Sequence, residues 1–562
     1  MINRFYFISA LFFLVLISSA FAGGSRPLGI DRTTRQQSYN TLKQYMSDFG
    51  GSVTGEKCGL PAITYAIKNR DHLTPEVSQA LQIILDRPTS QKSILVGSFR
   101  IHYDTTGIEA AAMLDSLYQP IPGTADQFAD SVGAIANYCE WFETKVLGYL
   151  PSPADSMAGG GPEYDIYVVD LGDYGFTTPE TPINNKPQGG TYTSFMTIDN
   201  SFAFVNPPAN RGLPGMRVTI AHELHHSIQI GNYGYWTNDI YFYELTSVWM
   251  EDVVFNDVND YYQYEKSPEG QFASPQVPFN TNSFIMYSRA IWGHYIAKRF
   301  GRDAMLRTWE EIQSAPPLEA IDRALQKPPY NSSFNAAFAE WNVWNYFTGA
   351  RSDSALYYPE GAAYPEINTM SFYYVPPSQT FAGNLQPLSS EYFNVVTDGG
   401  TSPLLISNIN LTAAEEGDNS SFPYSFTVGG TKSSGSDLRI ASGLFVEFNV
   451  SDLGNWYNEL LAGGNSSMQP FPDPFKPDGY AKISIPVNSP NPVSATLSVY
   501  TSDMRLAYTG SIASQFSSIY GGQVIQWNGV THEDKIAGSG VYIYFVQFQG
   551  KVQKGKFALL RK

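Results

Sequence analysis

The stretch TIAHELHHSIQIG, residues 219–231, holds three of the chain's seven histidines within five positions. His222, Glu223 and His226 form the pattern H-E-x-x-H, and on a helix that spacing stacks the two imidazoles one turn apart on a single face. Two neutral imidazoles placed in this way suit a zinc ion, which lowers the pKa of a bound water to about 7, while the neighbouring carboxylate takes the proton as the water attacks a carbonyl. His222 and His226 are therefore candidate metal ligands and Glu223 a candidate general base. His225 is a rival ligand, but pairing 222 with 226 leaves Glu223 beside the ion, so His225 is expected to be a hydrogen-bonded helix histidine.

By chance alone the pattern occurs in on the order of one chain in a hundred of this size, so its surroundings matter. Val218, Ile220, Leu224, Ile228 and Ile230 give a buried-helix pattern closed by Gly231. Imidazoles in a buried helix need polar partners, and a metal supplies them. A catalytic ion also needs a third protein ligand, and NDIYFYELTSVWMEDVVF (238–255) reads as a second helix with Glu244 and Glu251 seven residues apart on one face. Peptide hydrolysis further requires a donor to the developing oxyanion; Tyr287 is the first candidate, ahead of Tyr241, Tyr243 and His294. His102 and the aromatic runs 233–236 and 340–347 read as structural.

The elements that must position these residues lie in a mixed region. Residues 1–22 have Arg4, an apolar run and Ala20-Phe21-Ala22, the form of a secretory leader with a small-x-small cleavage site. Residues 23–95 have helical periodicity and form a candidate prosegment. Residues 96–350 mix strand text, SILVGSFRIHYD (93–104) and YDIYVVDLG (164–172), with a later helical block that includes NSFIMYSRAIWGHYIAKRFG (282–301), and this predicts one α+β domain. Short β-type runs over 365–462 predict a β-sandwich, and a Pro/Gly/Ser-rich break leads to a further all-β unit over 475–562.

Composition narrows the function classes. Hydrophobic residues at 43% and aromatics at 14% supply several cores, and charged residues at 15% are too few for a disordered chain. The net charge of −17 disfavours nucleic acid and anionic membrane surfaces as partners. No stretch after the leader is long and apolar enough to span a bilayer. The two cysteines, Cys58 and Cys139, predict one disulfide in an oxidising compartment, worth roughly 4 kcal/mol in the chain-entropy model; two buried thiols are the alternative.

With AHELHHSIQ followed by ELTSVWMED, and with FRIHYDTTG, YDIYVVDLGDYGFT and YSRAIWGHYIAKRFG around them, residues 55–350 resemble secreted bacterial zinc metalloproteases of the gluzincin type. That resemblance implies a zincin-like peptidase domain binding Zn2+ through His222, His226 and Glu244, with Glu223 as general base and Glu251 orienting a ligand histidine. Leu245-Thr246-Ser247 stands where such families often have Gly-Thr-Ala, so the helix entry differs. WNGVTHEDKIAGSGVYIYFVQFQG (527–550) and the terminal KGKFALLRK resemble the Ig-like modules of flagellar hook-assembly proteins and type IX secretion sorting domains, which implies partnership with an export machinery and surface attachment. The expectation is a secreted or cell-surface zinc endopeptidase acting on protein or peptide substrates. A zinc hydrolase of a non-peptide carbonyl is the first alternative. An inactive peptidase-like binding protein is the second, disfavoured because all four expected site residues are retained.

Overall fold

The computed structural model of the chain describes residues 32–48 and 57–373 save 185, 187 and 188, most of 378–429 and of 470–561, and residues 439–440 and 445–448. The expected leader, 1–22, and all of the Pro/Gly/Ser-rich break at 460–481 except residues 470 and 475–477 lie outside the described residues.

Three helices open the chain: α1 (Arg32–Asp48), α2 (Leu60–Lys68) and α3 (Pro75–Leu85). Helix α3 starts as its sequence dictates, with Pro75 in the first turn and the Thr74 hydroxyl accepting from the Val77 amide at 3.3 Å. The Arg35 guanidinium donates to the Ile84 carbonyl at 3.3 Å, fastening α1 to α3. Tyr39, Leu42, Ile63, Ala66, Leu81 and Ile84 form a small core of their own, to which Val169, Leu171 and Phe176 alone among the described residues of the rest of the chain contribute.

A five-stranded sheet follows, built from β1 (Lys92–Val96), β2 (Phe99–Tyr103), β3 (Tyr164–Val169), β4 (Gly175–Asn184) and β5 (Thr191–Asp199), in the order β1-β2-β3-β5-β4. Strands β2, β3 and β5 run parallel, while β1 and β4 are antiparallel edges. Residues 93–104, read from their alternation as one strand, fold as a hairpin. Val96 pairs with Phe99 across a two-residue loop whose Gly97 has φ +60°, and a Cβ there would lie 2.0 Å from the Asn137 side chain.

The period of two along β3 separates two layers. Ile166 and Val168 point into the main core, Val169 into the small N-terminal core. On the main-core face lie α4 (Ala125–Trp141) and α5 (Leu213–Ile228), the latter continued by one π-helical turn, Gln229–Tyr233; α1–α3 cover the other face. Helix α6 (Ile240–Val254) packs against α5. Further helices at Ala290–Phe300, Asp303–Ile312, Pro317–Gln326 and Phe334–Tyr346 complete the helical block. The sequence-predicted helix at 282–301 is divided, with one turn at Ile285–Ser288 before Ala290–Phe300.

Beyond residue 369 the chain is mainly β. One four-stranded sheet contains Ser389–Thr397 and Gly400–Asn408, and a three-stranded sheet contains Ser378–Leu385 and Phe422–Gly429. The four-stranded sheet rests on the helical block, where the Tyr392 hydroxyl donates to the Asn342 carbonyl at 2.7 Å. The C-terminal unit has a three-stranded and a four-stranded antiparallel sheet around a separate core that includes Ile485, Leu497, Trp527, Val546 and Phe557. The chain is therefore a multidomain α+β and all-β protein, and no helix among the described residues is long and apolar enough to cross a membrane.

Candidate metal centre

Helix α5 is buried over nearly its whole length, and His222, Glu223 and His226 lie inside the protein. His222 Nδ1 lies 2.8 Å from Glu251 Oε1, and His226 Nδ1 lies 2.8 Å from Gln229 Oε1. The Gln229 amide nitrogen in turn donates to Thr246 Oγ1 at 3.0 Å and Ser247 Oγ at 3.1 Å, so its oxygen faces the imidazole. Each histidine therefore uses Nδ1–H as a donor and aims the lone pair of Nε2 inward.

The two Nε2 atoms are 3.0 Å apart. Glu244, one turn into α6, brings its two carboxylate oxygens to 3.3 Å from them, and neither oxygen has a hydrogen-bond donor. Two lone pairs and a carboxylate converging on one point repel each other unless a cation lies between them. Donors held about 2.1 Å from a tetrahedral ion stand roughly 3.4 Å apart, close to what is found. These residues fit a metal ion. The electrostatics agree: burial pulls the His222 pKa down, but Glu244 and Glu251 outweigh it and lift the value to about 9. Burial likewise pushes Glu244 up, and His226 and His222 reverse this to about 2. The two shifts are one pairing seen from both sides: carboxylates favour positive charge on His222, and the histidines favour the ionised form of Glu244.

Glu223 stands beside the donors. The Thr177 hydroxyl of β4 donates to its Oε2 at 2.9 Å, and burial raises the carboxyl above its ordinary range against the pull of His222 and His226. His225 points the other way. Burial raises the Glu143 carboxyl well above its ordinary range and lowers His225 well below its own, and the two share a 2.8 Å hydrogen bond. Tyr287 is buried, its ring packed on Tyr264 at 5.3 Å and Phe284 at 6.0 Å. His102 stacks on Tyr167 at 4.3 Å and holds Asp165 at 2.7 Å.

The expected disulfide is not formed: Cys58 and Cys139 are both free and buried. Cys139 lies on α4 near Glu143, whereas Cys58 lies in the metal centre. Its Sγ and ligand atoms of His222, His226 and Glu244 all lie within 4.8 Å of one another, and its thiol also contacts Glu223. Burial, then Glu223 and Glu244, push that thiol well above its ordinary range. Neighbouring Lys57 is buried too, its ammonium paired with Glu251 Oε2 and, at 2.8 Å, with Asp260 Oδ2.

Gln229, Lys57, Thr177 and the metal-facing position of Cys58 were not singled out by motif or spacing. Only Gln229, one turn beyond His226, lay within reach of a helical-face argument. Tyr235 is another addition. Its hydroxyl hydrogen-bonds the Thr64 hydroxyl of α2, and burial, with smaller contributions from Tyr192, Cys58 and Glu244, raises it above the ordinary phenol range.

A family model described as "Family of unknown function (DUF6055)" matches residues 196–353, which hold both α5 and α6. No curated protein matches. Among solved structures, dimeric latent PorU from Porphyromonas gingivalis is similar at 17% identity and a TM-score of 0.14, over 29% of this chain and 12% of that one. PorZ, a surface component of the type-IX secretion system of the same organism, is similar at 12% identity and a TM-score of 0.13, over 30% of each chain. The chain thus spans well under half the length of either protein, and the scores are too low to assign a fold from them.

Proposed function

We infer that the chain is a zinc-dependent endopeptidase of zincin-like architecture, exported and held outside the cell or on its surface. The observation that carries the reading is the convergence of His222 Nε2, His226 Nε2 and the Glu244 carboxylate, with Glu223 alongside. A zinc ion held by these three residues supplies Lewis acidity and an acidified water. Glu223, with Oε2 held by Thr177, has its other oxygen to receive the proton from water attacking the scissile carbonyl and to pass it to the leaving amine. Glu251 and Gln229 fix the orientation of the two imidazoles. The Tyr235 hydroxyl, whose pKa is raised in part by Cys58 and Glu244, joins Tyr287 as a candidate donor to the oxyanion.

A peptide substrate is favoured over another carbonyl compound by the β4 edge. At Gly175 that edge already takes a backbone partner, an isolated parallel bridge to Cys58, and the Gly59 amide donates to the Gly175 carbonyl at 3.1 Å. Export rests on the leader-like first 22 residues and the Ig-like C-terminal unit.

The test is metal analysis and cleavage of labelled casein by the wild type and two variants, with the N-terminal helical layer removed and zinc supplied. About one zinc per chain, kept by Glu223→Gln with loss of cleavage and lost by Glu244→Ala, is the expected result. A chain that takes up no metal under these conditions overturns the reading.

A further inference from the structure

The fourth donor at the centre comes from the N-terminal helical layer, and it comes with a set of contacts that together close the site. Cys58 has no solvent exposure, and neither the two histidines nor Glu244 can be reached from outside. A catalytic site needs an open position, whereas four protein ligands make a closed one. Lys57 takes the Glu251 oxygen that His222 does not use, Cys58 reaches the three donors and Glu223, and Thr64 engages Tyr235. The backbone of residues 58 and 59 lies along β4, where a Cβ on Gly59 would meet Tyr39 and Phe176 at 2.8 and 2.9 Å. Apart from these contacts the layer is tied to the rest of the chain by Lys43 on Asp173, Gln36 on the Leu171 carbonyl, and Arg87 on Asp155, Asp165 and Glu180. Its core borrows three side chains from the rest of the chain, and it is joined to β1 by residues 86–91, among which Asp86, Thr89 and Gln91 are exposed.

We propose that Cys58 is a fourth, sulfur ligand of the metal in an unprocessed, self-inhibited form of the protein, and that hydrolysis of one peptide bond between residues 86 and 91 releases the layer and opens the site. The inference rests on the zinc reading above. When Cys58 binds, its thiol gives up a proton to solvent and Sγ takes the coordination position that a water would hold. When the layer leaves, the sulfur–metal bond breaks, the thiolate regains a proton, and water fills the position. One further water is consumed in the cut, which a second peptidase supplies as catalyst. The same departure frees Glu223, Tyr235 and the β4 edge, so one event uncovers the base, the hydroxyl donor and the strand that would hold a substrate.

The experiment is X-ray absorption at the zinc edge on the full chain, beside Cys58→Ser and Cys139→Ser, with casein cleavage measured before and after limited digestion by subtilisin that is then quenched with a serine-peptidase inhibitor, since Arg87-Pro88 leaves trypsin no bond to cut between 86 and 91. Expected are one sulfur at about 2.3 Å in the wild type and in Cys139→Ser, none in Cys58→Ser, and at least a tenfold gain in cleavage once residues up to about 90 are removed. Bound zinc with only nitrogen and oxygen neighbours overturns the proposal and leaves the peptidase reading standing. A chain that binds no zinc overturns both. Sulfur ligation with no gain on removal of the layer means a closed structural centre and overturns the self-inhibition. The wild-type spectrum decides the ligand question even if Cys58→Ser does not fold.

Discussion

Replacing Lys57 by methionine keeps the length of the side chain and removes its charge, leaving Glu251 and Asp260 buried and facing each other without a cation. Two estimates of the cost agree. Removing one partner of a buried ion pair costs about 3–5 kcal/mol. Alternatively, one carboxyl takes a proton, and for an ordinary carboxyl with its midpoint near ~4.3 that costs about 1.4 kcal/mol per pH unit, or ~4 kcal/mol at pH 7. The methionine recovers ~1 kcal/mol through burial of its apolar stem, so the net loss is about 3 kcal/mol. It falls on the docking of residues 57–68, because Lys57 is joined to α2 through two residues. Hydrogen exchange of the α2 amides reads that docking directly, and a 3 kcal/mol loss accelerates exchange by on the order of 100-fold at pH 7. The sign with pH is fixed: the orphaned carboxyl has a folded pKa above its unfolded value, so the folded state takes up a proton and the deficit shrinks as pH falls. At pH 5, after correction for intrinsic exchange, the acceleration should be no more than about twofold. Exchange in α2 unchanged at pH 7, or equally faster at both pH values, would refute the reasoning.

Gln229→Ala removes the acceptor that orients His226 and should weaken zinc binding about 10–100-fold with one site per chain retained, as read by competition with a chromophoric chelator. Glu143→Ala leaves the buried His225 ring without that hydrogen bond and should cost about 1–3 kcal/mol in denaturant unfolding while leaving zinc content unchanged; loss of zinc would place His225 in the centre. Asp252 is pushed up to about 7 by burial and by Glu360 and Glu251, so its folded pKa exceeds the unfolded one and the stability associated with its proton is lost as pH rises through 7. Asp252→Asn should therefore raise the melting temperature at pH 8, by on the order of 1–3 kcal/mol of stability, and change little at pH 4.

The sequence shows those parts of the site that depend on one helix at a time. The four-residue spacing of His222 and His226, and the common face of Glu244 and Glu251, follow from helical period alone, and the structure brings all four together with Glu223. The N-terminal helices are legible for the same reason, since Thr74-Pro75 marks the start of α3. Strands β4 and β5 are not. Pro179 and Pro182 break the pattern of β4, which tolerates them because it is an edge and its register shifts at each. Cys58 is illegible for a deeper reason. What brings it to α5 is sheet order and the docking of a separate layer, and a cysteine in an exported chain reads first as half of a disulfide. Glycine at 97 marks a turn between β1 and β2, yet the alternation on both sides of it reads as one strand until Asn137 is seen beside it.

The face of the sheet beneath α1–α3 has a bearing on how such a protein could be handled. Val169, Leu171 and Phe176 pack into the core of the helical layer, and β4 is an edge strand whose first residue pairs with that layer. Once stripped of its cover, the molecule would present fresh apolar surface next to an unpaired strand edge, the combination that promotes sticking between identical copies. A trimmed preparation should therefore keep poorly at high concentration, and a peptide that can lie along β4 should extend its shelf life. For a cell, this makes the place of trimming matter as much as its timing, since solubility is easiest to spare after dilution outside.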